Sequence, residues 1–248
     1  MIRKGVAILI LLAIGALLMP VERRIDADQR AVHLRKPTLN LELRERIGQM
    51  GFLAALSGFR SPLAAILWIE AHNAWERTEW GRMAGLFDTV TTLQPRSPLY
   101  WDMASWHMAY NASVAAREDP KQPSEILRQR AERQYIQLGK EILERGIRNN
   151  PDNAYLQNQL GIILRDKLSD DCAAANAFLK ASELPGAPPF YARAAGYSMA
   201  KCPGKEKQAY ELLKHLYDKG EDERKPSLIS NIKDLEKKLD VPPAERIP

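Results

Sequence analysis

The chain has 248 residues, a formal net charge of +5, five Phe, two Cys and four His. Its length admits one domain or a short array of repeats, and the lack of alternating apolar–polar runs argues against a sheet and for an all-α fold. Lys and Arg are interspersed with Asp and Glu along most of the chain, the pattern of a solvated surface, so nucleic-acid binding is set aside.

The first element is the uncharged run Gly5–Pro20, preceded by Arg3 and Lys4 and ending before Glu22, Arg23 and Arg24. It is at the short end of the roughly 17–25 residues that a membrane-spanning helix needs, and flanking Arg and Lys stems can reach the interface to cover the deficit. Two readings compete, a retained anchor over residues 1–21 and a cleaved signal peptide. The run closes on Leu17-Leu18-Met19-Pro20-Val21, without the small residues a cleavage site requires, which favours retention as one N-terminal transmembrane helix. No polar face exists in the run, and this disfavours a buried soluble helix. A short basic flank ahead of such a segment stays in the cytoplasm and sends the remainder across. In a bacterium that is the inner membrane, with a single pass and the C-terminal part in the periplasm.

Residues 22–60 read as a juxtamembrane linker containing Lys36-Pro37, then a leading helix striped by Leu39, Leu43, Ile47, Met50 and Leu53. Gly58-Phe59-Arg60-Ser61-Pro62 closes it, with Ser61 as the expected cap of the next helix and Pro62 at its first position. From there to residue 225 the apolar spacing predicts about four helix pairs. Leu67, Ala71 and Ala74 share one face of a first helix, and Met83, Phe87, Val90 and Leu93 one face of a second. The turn Leu93-Gln94-Pro95-Arg96-Ser97-Pro98-Leu99 recurs in outline fifty-six residues on, as Asn149-Asn150-Pro151-Asp152-Asn153-Ala154-Tyr155. Between the two, Trp101, Ser105 and Met108 mark another helix. A long insertion near residues 111–132 follows, whose stretch Asp119-Pro120-Lys121-Gln122-Pro123 reads as a loop with Ser124 capping the helix after it. Leu127, Ala131, Tyr135, Leu138 and Ile142 stripe that long helix. The third pair carries Leu160, Gly161 and Leu164, then Ala174, Phe178, Ala181 and Leu184 ahead of Pro185; the fourth spans Phe190–Lys201 and Glu206–Lys219 with Ala209, Leu213 and Leu216. Residues 226–248 read as a capping helix (Leu228, Ile232, Leu235, Leu239) and tail, with a charged outer face that keeps the array from stacking on another copy.

These small and large apolar sites, with a proline at each unit boundary, resemble the tetratricopeptide repeat (TPR) family, whose units run about 34 residues. The likeness is close in the first and third units. It is looser in the second, about 22 residues over length, and in the shortened fourth. The resemblance implies a right-handed helical-hairpin solenoid whose inner surface is lined by the first helix of each pair. Carried onto this chain, the inner positions are Trp68, His72 and Trp75, then Asp102, Trp106 and Tyr110, then Asn158 and Arg165. All five tryptophans fall within the first two units. Trp101 has a packing role in the family. For Trp68, Trp75 and Trp106 the competing explanation is ordinary core covered by neighbouring helices. The carboxylate clamp that some TPR proteins use is not reproduced, since His72 and Met103 stand where asparagines are expected, so a receptor for chaperone C-termini is disfavoured.

No catalytic constellation accompanies this pattern: HExxH, zinc-type Cys/His spacing, GxSxG, phosphate loops and GxGxxG are missing. His72 and His107 lie one unit apart, which makes a paired site conceivable, although helix-surface histidines are the plainer account. Asn111-Ala112-Ser113 matches a glycosylation acceptor by chance. The function expected is a membrane-tethered TPR scaffold, without enzymatic activity or cofactor, that binds a protein or peptide partner in a bacterial envelope assembly or export complex. The alternatives are a soluble secreted binding protein after signal cleavage and a non-catalytic accessory subunit of an envelope enzyme. Cys172 and Cys202 complete the expectation. Consecutive solenoid helices run antiparallel, and the arms Cys172–Leu184 and Pro189–Cys202 are of nearly equal length, which brings the sulfurs level for a disulfide in an oxidising compartment.

Overall fold

The computed structural model describes residues 58–248, and every regular element among them is helical. These elements are α1 (Arg60–Glu76), α2 (Trp80–Leu93), α3 (Pro98–Trp106), α4 (Ser113–Arg117), α5 (Glu125–Asn149), α6 (Ala154–Asp166), α7 (Asp171–Glu183), α8 (Phe190–Lys201), α9 (Glu206–Asp218) and α10 (Pro226–Lys238). A six-residue π-helical turn, His107–Ala112, carries α3 into α4 without a break. The apolar run Gly5–Pro20, the linker and the leading helix lie outside the described residues. Among the described residues no helix is long and apolar enough to cross a membrane.

Each helix packs mainly on its neighbours in sequence. α1 pairs with α2, the α3–π–α4 unit with α5, α6 with α7, and α8 with α9, and α10 closes on α9. Contacts of α5 with α6 and of α7 with α8 join the pairs. Such near-neighbour packing is that of a helical-repeat array, where each unit hides its apolar stripe against the next. In the first pair Leu63, Leu67, Ala71 and Ala74 are buried against Met83, Leu86, Phe87 and Val90. In the last, Leu228, Ile232 and Leu235 of α10 are buried with Leu213 and Leu216 of α9.

Glycines set how closely the members of a pair approach. A Cβ on Gly161 would stand 2.6 Å from the Phe178 ring, and one on Gly196 would stand 2.4 Å from Leu213. The two pairs are offset by 35 positions in both members, so the same small-against-large contact recurs in register. In the longer second unit, Gly146 lets Trp101 lie flat against α5, while Gly139 admits the backbone of Ser105 and Ala109. The Ser105 hydroxyl donates to Gly139 O at 2.8 Å across that contact.

The two proline turns of similar sequence dock on each other. Pro95 O accepts both the Trp101 indole N–H and the Asn150 amide, each at 2.9 Å, and Arg96 donates to Asn149 O at 2.8 Å. Asn153 starts α6 with its side chain accepting from Leu156 N, and Asp170 starts α7 by accepting from Ala173 N. Two expected caps are corrected. α1 begins at Arg60 with Phe59 at its cap position, so Pro62 sits inside the first turn, where no N–H is needed; the Ser61 hydroxyl instead accepts from Gln94 at 2.6 Å. Ser124 occupies the cap position of α5, but its hydroxyl makes no capping bond. Its backbone N–H donates to Gln122 Oε1 within the loop, at 3.2 Å.

The disulfide Cys172–Cys202 is formed, with the two Cα atoms 4.9 Å apart. It ties the first turn of α7 to the end of α8, two antiparallel arms joined through Pro185–Pro188.

Candidate functional site

The first two units bring their large rings onto one face. On α1, Trp68, His72 and Trp75 follow at helical spacing, and the neighbouring ring centroids are 5.3 Å (Trp68–His72) and 6.2 Å (His72–Trp75) apart. α3 and the π turn answer with Trp106, His107 and Tyr110; Trp106 lies 5.1 Å from His107 and 6.4 Å from Tyr110. The two helices meet through His107, which stands 5.8 Å from His72 and 5.6 Å from Trp75 and stacks on Phe87 at 5.5 Å. Exposure then divides the rings. Trp75 is 37 % and Trp106 44 % exposed, while His107 is buried between them at 3 %. Trp68 is half-buried, with Phe87 at 5.3 Å and Tyr100 at 5.0 Å.

Of the inner-surface positions carried over from the resemblance, Trp68, His72, Trp75, Trp106 and Tyr110 therefore join in one continuous aromatic run. Tyr110 connects it to the third unit, since Lys167 Nζ lies 4.4 Å from its ring centre. Burial and the nearby Asp166 carboxylate push the Tyr110 phenol up, partly offset by Arg165. Arg165 itself pairs with Asp166 at 2.6 Å. Asp102 is engaged elsewhere: it accepts from the Tyr155 hydroxyl at 2.8 Å, and that hydroxyl accepts from Gln159 at 2.6 Å. Burial raises the Asp102 pKa, and the Tyr155 bond works against the rise. Asn158 is buried.

His107 is not among the inner-surface positions carried over from the resemblance, although its spacing of one unit from His72 made a pair conceivable. His107 opens the π-helical turn three residues after the buried Ala104, and its imidazole is buried with it. The Ser113 hydroxyl reaches back to Ala109 O at 2.6 Å, loosening the local backbone ladder that the π turn replaces. Asn111 Nδ2 lies 3.0 Å from His107 Nδ1 and fixes the ring plane. Burial first, then the neighbouring His72, lowers the His107 pKa from 6.5 to about 4, so the ring is neutral at physiological pH.

Two part-exposed indoles flanking a buried neutral imidazole offer apolar anchoring area. Among the described residues, no group of three or more His, Cys, Asp and Glu side chains stands together. No protein-family model matches the chain, and no curated protein sequence matches it.

Proposed function

We propose that this chain is a membrane-tethered, TPR-like scaffold whose aromatic face holds a segment of a protein partner in an envelope assembly or export complex, with the repeats on the periplasmic side of a bacterial inner membrane. The observation that carries it is that Trp75 and Trp106 are both exposed on either side of the buried His107. Tryptophans that are half covered in the free protein are the residue type that dominates interface energetics once a partner covers the rest. The TPR assignment draws on the near-34-residue repeat of the Gly161–Phe178 and Gly196–Leu213 contacts. The tether draws on the uncharged run Gly5–Pro20, and the compartment on that run together with the Cys172–Cys202 bridge, which suits an oxidising environment. A scaffold fixed at the membrane raises the local concentration of what it binds without chemistry of its own.

The test is co-purification of the full-length chain from membranes in mild detergent, with the partner identified by mass spectrometry and its affinity then measured. Trp75→Ala and Trp106→Ala are each expected to weaken binding by roughly 2 kcal/mol while leaving the melting temperature unchanged. A fall in melting temperature with unaltered binding by the folded fraction would assign both rings to the core and end the proposal. Release of a mature chain beginning between Pro20 and Asp28 into the soluble fraction would replace the tether with a secreted binding protein.

A further inference from the structure

The buried end of the aromatic face holds two nitrogens that packing alone does not explain. His107 Nε2 and His72 Nδ1 are both sealed from solvent, and neither has a hydrogen-bond partner among the described residues. Leaving a buried polar group unpaired costs about 1–3 kcal/mol, and here two such groups belong to rings whose centroids are 5.8 Å apart. His107 opens the π-helical turn His107–Ala112, a local irregularity found frequently at functional sites.

We propose that His72 and His107 form a two-coordinate site for a single Cu(I) ion, held between His72 Nδ1 and His107 Nε2. The number of donors selects the ion. With no third His, Cys, Asp or Glu in the group and both nitrogens shut off from water, Zn2+, which takes about four ligands, is left incomplete. The hard cations Ca2+ and Mg2+ require about six or more oxygens. Imidazole is a copper ligand, and the monovalent d10 ion is satisfied by two donors in line. The spacing agrees. Metal–nitrogen bonds of about 2 Å, plus roughly 1 Å from each nitrogen to its ring centre, set two facing imidazoles about 6 Å apart.

Asn111 completes the arrangement on the far side of His107. Metal-bound histidines donate their second N–H to an oxygen acceptor, and this fixes the tautomer. A half-turn of the Asn111 amide, which exchanges its oxygen and nitrogen in place, lets Oδ1 accept from His107 Nδ1–H across the 3.0 Å contact and frees the Nε2 lone pair. Phe87, Trp75 and Trp106 wall the site, and an apolar wall favours a singly charged ion over a dication on desolvation grounds.

The full-length chain in detergent, titrated anaerobically with Cu(I) against a chromophoric chelator, is expected to take up one equivalent. Ag(I), a redox-inert ion of the same configuration, competes for it, and filling the site quenches tryptophan fluorescence. His72→Ala and His107→Gln each weaken the affinity at least 100-fold, and Asn111→Ala weakens it roughly 10-fold. His215→Ala, at an exposed position on α9, leaves it unchanged. Circular dichroism and thermal melting report whether each variant is folded. Should His107→Gln not fold, His72→Ala, at a half-buried position, decides the matter. No stoichiometric uptake, or uptake that persists in folded His72→Ala, overturns the site and leaves the two nitrogens to a buried water. Stoichiometric Zn(II) binding lost in the same variants overturns the two-coordinate assignment.

Discussion

The two halves of the described structure solve the same packing problem differently. From α6 onward every α-helix has 12 or 13 residues, and a disulfide ties α7 to α8. From α1 to α5 the lengths run from 5 to 25 residues, one helix passes through a π turn, and both orphaned imidazole nitrogens are found there. The second half is regular in helix length and register, although it too buries polar atoms without partners, Asp171 Oδ1 and Ser198 Oγ. Particular to the first half are two part-exposed tryptophans around two unpartnered imidazole nitrogens, beside a π turn. Departures of this kind concentrate where a protein meets something else.

The largest expected difference between the halves comes from the disulfide. Cys202→Ser, or reduction, removes a cross-link across a 30-residue separation and is expected to cost about 3–4 kcal/mol in the chain-entropy model. Denaturant melts followed by tryptophan fluorescence should shift less than melts followed by hydrogen exchange in α7–α9, because all five tryptophans lie in the first half. Equal shifts in both signals would show the array to unfold as one unit and dissolve the comparison.

The next prediction contrasts two glycines. Gly139→Ala places a methyl 2.8 Å from the Ser105 carbonyl and 2.9 Å from the Ala109 nitrogen, both backbone atoms of the unit that contains the π turn. Gly196→Ala meets only the flexible end of Leu213. Overpacking of this kind costs about 1–3 kcal/mol, and Gly139→Ala is expected at the top of that range, Gly196→Ala at the bottom. Urea melts of the two variants give the order; a reversal would mean that α5 yields more readily than one leucine.

A third prediction uses acid. The unfolded His107 ring titrates near its ordinary 6.5, and the folded one near 4. Its contribution is therefore present above about pH 6.5 and is lost as pH falls through that window, because the unfolded chain takes up the proton first. At about 1.4 kcal/mol per pKa unit the loss approaches 3 kcal/mol by pH 4. Melting temperatures between pH 7 and 5 should fall for the native chain and fall less for folded His107→Gln. Identical slopes would remove His107 from the account. The smallest effect belongs to the regular half: Asn153→Ala deletes the side-chain cap of α6 and is expected to cost about 1 kcal/mol, measurable in the same melts.

How much of this was legible in the chain follows the same division. Leu67, Ala71, Met83, Phe87, Ala174, Phe178 and Leu213 are all buried where their spacing predicts, since a period of 3.6 residues assigns a face without reference to any partner. The Cys172–Cys202 bridge was legible in part: two arms of nearly equal length about a turn bring the residues level, and the rotation that lets the sulfurs meet came from the packing of α7 on α8. The start of α1 was not, as the Ser61 hydroxyl accepts from Gln94 and Phe59 takes the cap position; Ser124 does stand at the cap position of α5, without a capping bond. The ring cluster was legible in part: the repeat resemblance implies inner positions for Trp75 and Trp106, but their exposure was not given by it.

Local sequence thus determined helix content and the pairing of neighbours, which depend on contacts close along the chain, and it set Cys172 level with Cys202. Tertiary structure decided that the two sulfurs meet, that His72 and His107, one unit apart, come within 5.8 Å, and that one nitrogen of each is buried without a partner. The physical reason is that a helical period assigns a face, whereas the rotation of one helix against its neighbour and the sealing of an atom from water are set by what packs on that face from elsewhere in the chain.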